Sequence, residues 1–283
     1  PLAVILPALL FVGRYWHRPS RELPEGDPDL KIITYNVGAF GASKTEKDAV
    51  KNREALLDYL VEQDADIICL QEFRLNNTQD PAAMLKRHFK GYHVVYGTVS
   101  GLYNRAGLVT ICRYPVKSRN SIRFEGTGNL ILWTDFVVRG KTYRIYNCHL
   151  ESYRLPLKKM LQGDDDALVR GSRNMKKHAG LRSGQVDEVI NHINEKCPVP
   201  AIVCGDFNDT PLSYSYRCLR RGRRDTFKDA GTGFGASFSS FWPLLRIDYV
   251  LYPELLGRAL SHESPHLTYS DHYPVITTFE VRK

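Results

Sequence analysis

The chain has 283 residues, 43% of them hydrophobic and 25% charged, an ordinary globular balance that excludes a disordered or fibrous protein. A chain this long buries a core that needs no disulfide or metal staple. Its 39 Lys+Arg against 31 Asp+Glu leave a formal charge of +8, which by itself establishes neither a nucleic acid nor an anionic membrane as partner. Part of the excess is clustered at Arg217, Arg220, Arg221, Arg223 and Arg224, which reads equally well as a solvated helix end and loop. The six cysteines form no CxxC pair. They read as small buried thiols, with a weak lean towards a reducing compartment.

Residues 1–13, PLAVILPALLFVG, are apolar and uncharged, and Arg14, His17, Arg18 and Arg21 follow. Spanning a bilayer takes about 20 apolar residues. The run is therefore expected to be the tail of a truncated transmembrane helix, with a buried or added segment as the alternative. The basic flank then favours a cytoplasmic domain beyond it. Residues 14–29 read as a linker rich in Pro and charge, and residues 30–283 as one folded domain.

From Leu30 onward, strand and helix patterns alternate. LKIITYNV is a strand. NREALLDYLVEQ puts Ala55, Leu56, Tyr59 and Leu60 on one helical face, and DIICLQE is a second strand. Asp80 followed by Pro81 has the form of a helix start leading into AAMLKRHF. YHVVYG, GLVTICRY, NLILWTDFVV and YRIYNCHL are further strands, the last two joined across a turn at Arg139, Gly140 and Lys141. Residues 152–177, polar and highly charged, carry no assignable pattern. SGQVDEVINHINEK is a helix with an apolar stripe of Val186, Val189, Ile190 and Ile193, and AIVCGDF, LRIDYVLY and PVITTFEV complete the strands. This mixture indicates packed sheets covered outside by helices.

The residues that end these runs are the informative pattern. Asn36 closes LKIITYN, Glu72 closes DIICLQE, and His149 closes YRIYNCH. Asp206 and Asn208 follow AIVCG, Asp248 interrupts LRIDYVLY, and Asp271 and His272 precede the final strand. A carboxylate, amide or imidazole so placed projects into a cleft while the apolar run anchors its backbone. Each has a plainer alternative. Asn36, Asp206 and Asn208 suit turns, Asp271 a cap, His149 a core histidine, and Asp248 a pair with Arg246. Arg74 lies two residues beyond Glu72, on the same face if the strand continues, and its planar fork suits phosphate oxygens. A rim salt bridge is the alternative there.

TYNV, LQEFR, NCHLES, CGDFND, RIDYVL and SDHYPV, in that order, resemble the motifs of the endonuclease/exonuclease/phosphatase superfamily. That group includes pancreatic-type deoxyribonucleases, apurinic endonucleases, sphingomyelinases and inositol-polyphosphate phosphatases. The resemblance implies an α/β fold, a four-layer sandwich of two packed, mainly antiparallel β-sheets flanked by α-helices. It also implies a metal-dependent phosphoester hydrolase with Asn36, Glu72 and Asp271 at the metal and Asp248–His272 as a dyad. Asp206 and Asn208 would hold the nucleophilic water or the phosphate oxygens. His149 would bond the phosphate or protonate the leaving group, and Arg74 would contact substrate phosphate.

Mg²⁺ suits such a site, with Mn²⁺ as a substitute, because it takes oxygen ligands and keeps several waters. No Cys/His spacing points to zinc. The expected protein is a membrane-anchored, nuclease-like phosphodiesterase with a monomeric catalytic domain. A phospholipid or inositol-phosphate phosphoesterase and a membrane-tethered binding protein are the alternatives. Substrate choice falls to the loops 97–105, 151–182 and 231–243, the last carrying Phe234, Phe238, Phe241 and Trp242.

Overall fold

A computed structural model describes residues 16–18, 26–41, 46–74, 81–98, 106–153, 162–239 and 245–283. The apolar run 1–13 lies outside them, as do Phe241, Trp242 and most of the loop 97–105.

The first sheet contains β1 (Leu30–Asn36), β2 (Ile67–Arg74), β3 (His93–Thr98), β4 (Ala106–Cys112), β11 (Gly257–Glu263) and β12 (Val275–Val281). Its order is β11-β12-β1-β2-β4-β3. The second contains β5 (Val116–Arg123), β6 (Leu130–Val138), β7 (Lys141–His149), β8 (Ala201–Asp206), β9 (Arg224–Asp225) and β10 (Asp248–Tyr252). Its order is β5-β6-β7-β8-β10-β9. Pairing is antiparallel except at the middle of each sheet, where β1 and β2, and β7 and β8, run parallel. Parallel neighbours need a crossover. Here α1 (Glu46–Glu62) joins the first pair and α3 (Asp165–Lys196) the second.

The continuous apolar runs are explained by burial on both faces. Ile32, Ile67, Cys69, Phe279, Ile145, Ile202 and Val250 face inward and form one cluster between the sheets. Their neighbours Ile33, Ile68 and Leu70 face outward against Leu56, Leu57 and Leu60 of α1 and Leu85 of α2 (Pro81–His88). On the other side Tyr146, Val203 and Tyr249 pack against Val186 and Val189 of α3 and Leu219 of α4 (Tyr214–Arg220). The result is the expected four layers.

Some parts differ from the sequence expectation, among them the strand β11, which the sequence reading lacks. Residues 165–177, without an assignable pattern, are the first half of α3, capped where Asp164 accepts from Ala167 N at 2.8 Å. Two further acids in its first turn suit the helix dipole. Polar β5 is an exposed edge strand, where charged side chains guard open hydrogen-bonding groups. Part of the linker touches the domain: His17 and Gly233 exchange backbone hydrogen bonds at 2.7 and 2.8 Å, and Asp29 accepts from Val281 N at 3.0 Å. Among the described residues no helix is long and apolar enough to cross a membrane.

Candidate active site

Topology brings the strand-end residues to one pole. Parallel β1 and β2 finish side by side, so Asn36 and Glu72 leave the first sheet together, and His149 and Asp206 leave the second as register partners. β10 runs against β8, which puts its first residue, Asp248, opposite Asp206. β12 runs against β1, so the residues before it, Asp271 and His272, return to the same end.

Local backbone features aim these side chains. The β2–β4 ladder shifts register between Leu70 and Phe73, and Glu72 within this bulge has φ 52°. Asn208 has φ 51°. Left-handed backbone at non-glycine residues costs on the order of 1–3 kcal/mol each and gathers at functional sites. Gly205 (φ 126°) could carry no side chain, because a Cβ there would stand 2.1 Å from Cys148 O. That close approach sets Asp206 beside His149.

Asp206, 1% exposed, is the centre. Its Oδ2 accepts from Asn36 Nδ2 at 2.9 Å and Asn208 Nδ2 at 3.1 Å, and its Oδ1 from Asn208 N at 2.8 Å. His149 Nε2 and His272 Nε2 stand 3.9 and 3.8 Å from Oδ2. His272 Nδ1 is 2.9 Å from Asp248 Oδ2, so the expected dyad is formed, while Arg246 pairs with Asp225 at 2.8 Å and not with Asp248. Glu72 Oε1 lies 3.2 Å from Asn36 Nδ2 and 3.4 Å from His149 Nε2. Asp271 is exposed, its Oδ1 3.4 Å from Ser270 Oγ. Phe238 packs edge-on against His272 at 5.0 Å, beneath the motif that follows its loop.

The charges are strongly coupled. Burial pushes Asp206 up to about 6, with the Asp248 carboxylate acting the same way and both histidines opposing. Burial disfavours charge on His272, but Asp248 and Asp206 outweigh it and raise its pKa to about 10. Burial works against the Glu72 carboxylate too, yet the hydrogen bond and charge of His149 pull it down to about 2. His149 is raised in turn, Glu72 outweighing its burial.

Arg74, half-buried, lines a cavity of about 220 Å³ with Glu72, His149, Gly107, Leu108 and Leu130. A larger cavity of about 770 Å³ opens at the far pole, where Arg139 pairs with Asp29 and Arg258 with Glu280. None of the candidate site residues lines it.

Several supporting residues escaped the sequence reading. Ser270 Oγ donates to Asn36 O at 2.8 Å and accepts from His272 N at 3.2 Å, tying the last loop to β1. Ser237 Oγ accepts from Ile247 N and Asp248 N at 3.0 and 2.9 Å, fixing the entry to β10. Between the sheets, Gln71 Nε2 donates to Thr34 Oγ1 at 2.9 Å and Asn147 Oδ1 at 2.8 Å. Thr34, Gln71 and Asn147 each precede a site residue by one or two positions, so this buried layer locks the strand ends from below. Polar letters within apolar runs were the available signal.

A cleft of carboxylates, amides and imidazoles on strand ends of a four-layer sandwich is the arrangement that suits a metal-dependent phosphoester hydrolase. The family model for the Endonuclease/Exonuclease/phosphatase family matches residues 33–272, and the chain belongs to that family. No curated protein sequence matches it significantly. A functionally unknown conserved protein from Enterococcus faecalis V583 is similar in fold, with TM-score 0.69 at 17% identity over 89% of this chain and 100% of the other. An endonuclease/exonuclease/phosphatase from Bacteroides vulgatus has TM-score 0.69 at 18% identity, over 90% and 100%. Humanized D. rerio TDP2 has TM-score 0.63 at 19% identity, over 89% and 99%.

Proposed function

We propose that the protein is a Mg²⁺-dependent phosphodiesterase of nuclease-like type, with Mn²⁺ as a substitute ion. The observation that carries this reading is the convergence of Asn36 and Glu72 from one sheet with His149, Asp206 and Asn208 from the other, around a cleft that also holds the Asp248–His272 pair.

The donor set fits a hard cation, since oxygen ligands dominate and one or two carboxylates suffice for Mg²⁺. Glu72, ionised and open to the cleft, is the direct ligand, and Asp271 serves a second position. Asn36 Oδ1 takes the Gly38 N–H at 3.0 Å and its Nδ2 lies 3.2 Å from Glu72 Oε1, so as placed Asn36 serves the metal site by orienting Glu72. A second set of ligand atoms, from Asp206, Asp248 and His272, lies within 4.8 Å. Asp248 Oδ1, buried without a hydrogen-bond partner among the described residues, favours an ion there. We assign the ion to Glu72 because its carboxylate opens to the cleft, whereas Asp206 and Asp248 are buried and already held by Asn36, Asn208 and His272. Mg²⁺ would supply Lewis acidity to the phosphate and offset the negative charge that holds the His272 proton.

Asp248 fixes Nδ1 of His272 and leaves Nε2 facing Asp206 and the cleft. Once the local negative charge is offset by a bound cation and Nε2 has given up its proton, that nitrogen takes the proton of the attacking water. Asp206 and Asn208 orient that water or the non-bridging oxygens. His149 donates to the phosphate or the leaving oxygen, and Arg74 holds a phosphate oxygen pair at the cavity wall.

The composition of residues 1–13 supports a membrane anchor, and the basic residues Arg14, Arg18 and Arg21 after it favour a catalytic domain on the cytoplasmic side. Cell fractionation tests it, and a fully soluble full-length product overturns it. For the activity, purified protein is assayed with Mg²⁺, Mn²⁺ or EDTA on plasmid DNA, RNA, abasic duplex, sphingomyelin, phosphoinositides and bis(p-nitrophenyl) phosphate. Metal-dependent cleavage of a diester is expected. Exclusive monoester hydrolysis would replace the diester reading, and inertness throughout would end it.

A further inference from the structure

A buried charge cluster lies beside the site without touching the cleft chemistry. Arg182, on α3, is 1% exposed. A guanidinium is not buried so deeply without partners that define its place. Its Nε donates to Asp209 Oδ2 at 3.0 Å and its Nη1 to the backbone carbonyl of Glu151. Its plane stacks on Tyr153 at 3.9 Å, and the Tyr153 hydroxyl returns to Asp209 Oδ1 at 3.2 Å. Ser215 Oγ adds a bond to Asp209 Oδ2 at 3.1 Å, and Tyr249 holds Asp209 O at 2.8 Å. One turn further along α3, Gln185 Oε1 accepts the Glu151 N–H at 2.8 Å, and one turn earlier His178 Nδ1 meets Glu151 Oε1 at 2.9 Å.

The two segments gripped in this way are the continuations of β7 and β8. Glu151 follows His149 by two residues, and Asp209 follows Asn208 directly. Between them, Asn208 Nδ2 donates to Leu150 O at 2.9 Å and Leu150 N to Asp206 O at 3.0 Å. We propose that Arg182 is a positioning residue that clamps these two strand ends together and so sets the distance between His149 and the Asp206–Asn208 pair. Its fork is the part that matters. One nitrogen serves the first segment, another the second, and an ammonium point charge has no such geometry.

The inference rests on the phosphodiesterase reading only for its kinetic arm. Arg182→Lys is compared with the wild type by Mg²⁺-dependent hydrolysis of bis(p-nitrophenyl) phosphate and, without metal, by ¹H–¹⁵N NMR of the Asn208 side-chain amide. Misplacing a catalytic pair by about 1 Å costs up to about 100-fold in rate. The expected result is a kcat reduced about 10- to 100-fold, a KM within about threefold, and a shifted Asn208 amide beside unmoved resonances of the inter-sheet core. Asp209→Asn removes the charged partner from the other side and is expected to move the same amide. If the wild type fails to cleave this probe, the functional reading loses support while the NMR arm still decides the clamp. An unmoved Asn208 amide in folded Arg182→Lys, or global unfolding of both variants with no separable effect at the site, overturns the proposal.

Discussion

Asn36 Nδ2 donates to Asp206 Oδ2 at 2.9 Å across 170 positions of sequence, joining the end of a strand in one sheet to the end of a strand in the other. The same nitrogen lies 3.2 Å from Glu72 Oε1, so a single amide aligns the proposed metal ligand and the central carboxylate. Replacing Asn36 with Ala leaves both carboxylates without this donor. Hydrolysis should fall by about 10²- to 10³-fold, the scale of losing one site hydrogen-bond donor. Steady-state kinetics check it, and unchanged turnover removes Asn36 from the machinery.

His272→Ala and Asp206→Ala should each abolish measurable hydrolysis, losing general acid–base or orienting contributions worth about 10²- to 10⁴-fold. Circular dichroism should stay native-like for both variants. Near-normal turnover in either one sinks the mechanism.

Metal binding separates the two sets of ligand atoms. Calorimetric titration with Mg²⁺ should show binding lost in Glu72→Gln and retained in Asp248→Asn. The reverse pattern moves the ion to the Asp206, Asp248 and His272 cluster.

Acid stability should carry the mark of His262. Burial pushes this histidine down to about 3 from an ordinary 6.5, and its Nδ1 lies 2.8 Å from Thr226 Oγ1. Between those values the unfolded chain binds a proton that the folded chain refuses, so stability falls as pH drops below 6.5. The slope reaches about 1.4 kcal/mol per pH unit. Urea unfolding from pH 6.5 to 5 should therefore cost the wild type about 2 kcal/mol more than His262→Asn, which has no such proton to take up. Equal losses in both proteins would remove His262 as the cause.

The buried amides between the sheets should matter for stability. Asn147 Nδ2 donates to Leu70 O at 3.2 Å and Val109 O at 2.8 Å. Asn147→Leu removes the donor from both carbonyls, at about 1–3 kcal/mol for each group left short, while Gln71 Nε2 keeps Thr34 Oγ1 and Cys69 O. Denaturant unfolding measures the sum, and a change under about 0.5 kcal/mol, the size of a neutral surface substitution, contradicts it.

The legible parts of the sequence share a physical cause. Runs such as LKIITYN and AIVCGD are buried on both faces, so their apolar letters are unbroken and the polar residue at their end stands out. The unassigned stretch 165–177 hid a helix because its exposed half carries no apolar stripe, and Leu168, Val169 and Met175 lie open to solvent. β5 and β11 were missed for a related reason: edge strands mix polar and apolar letters. Arg182 was unreadable because its partners lie 27 and 31 positions away, and nothing nearby distinguishes a buried guanidinium from a solvated one.

The central parallel pair of each sheet has a consequence for how activity can arise. Asn36 and Glu72 are delivered by one sheet, and His149, Asp206 and Asp248 by the other. His272 arrives only with the approach to β12, the neighbour of the very first strand. No half of the chain holds a working cleft, so the newly made protein stays inert until its two faces dock and its last strand closes on β1. Recovery of hydrolysis during refolding should then report the final docking event, and lag behind the appearance of secondary structure.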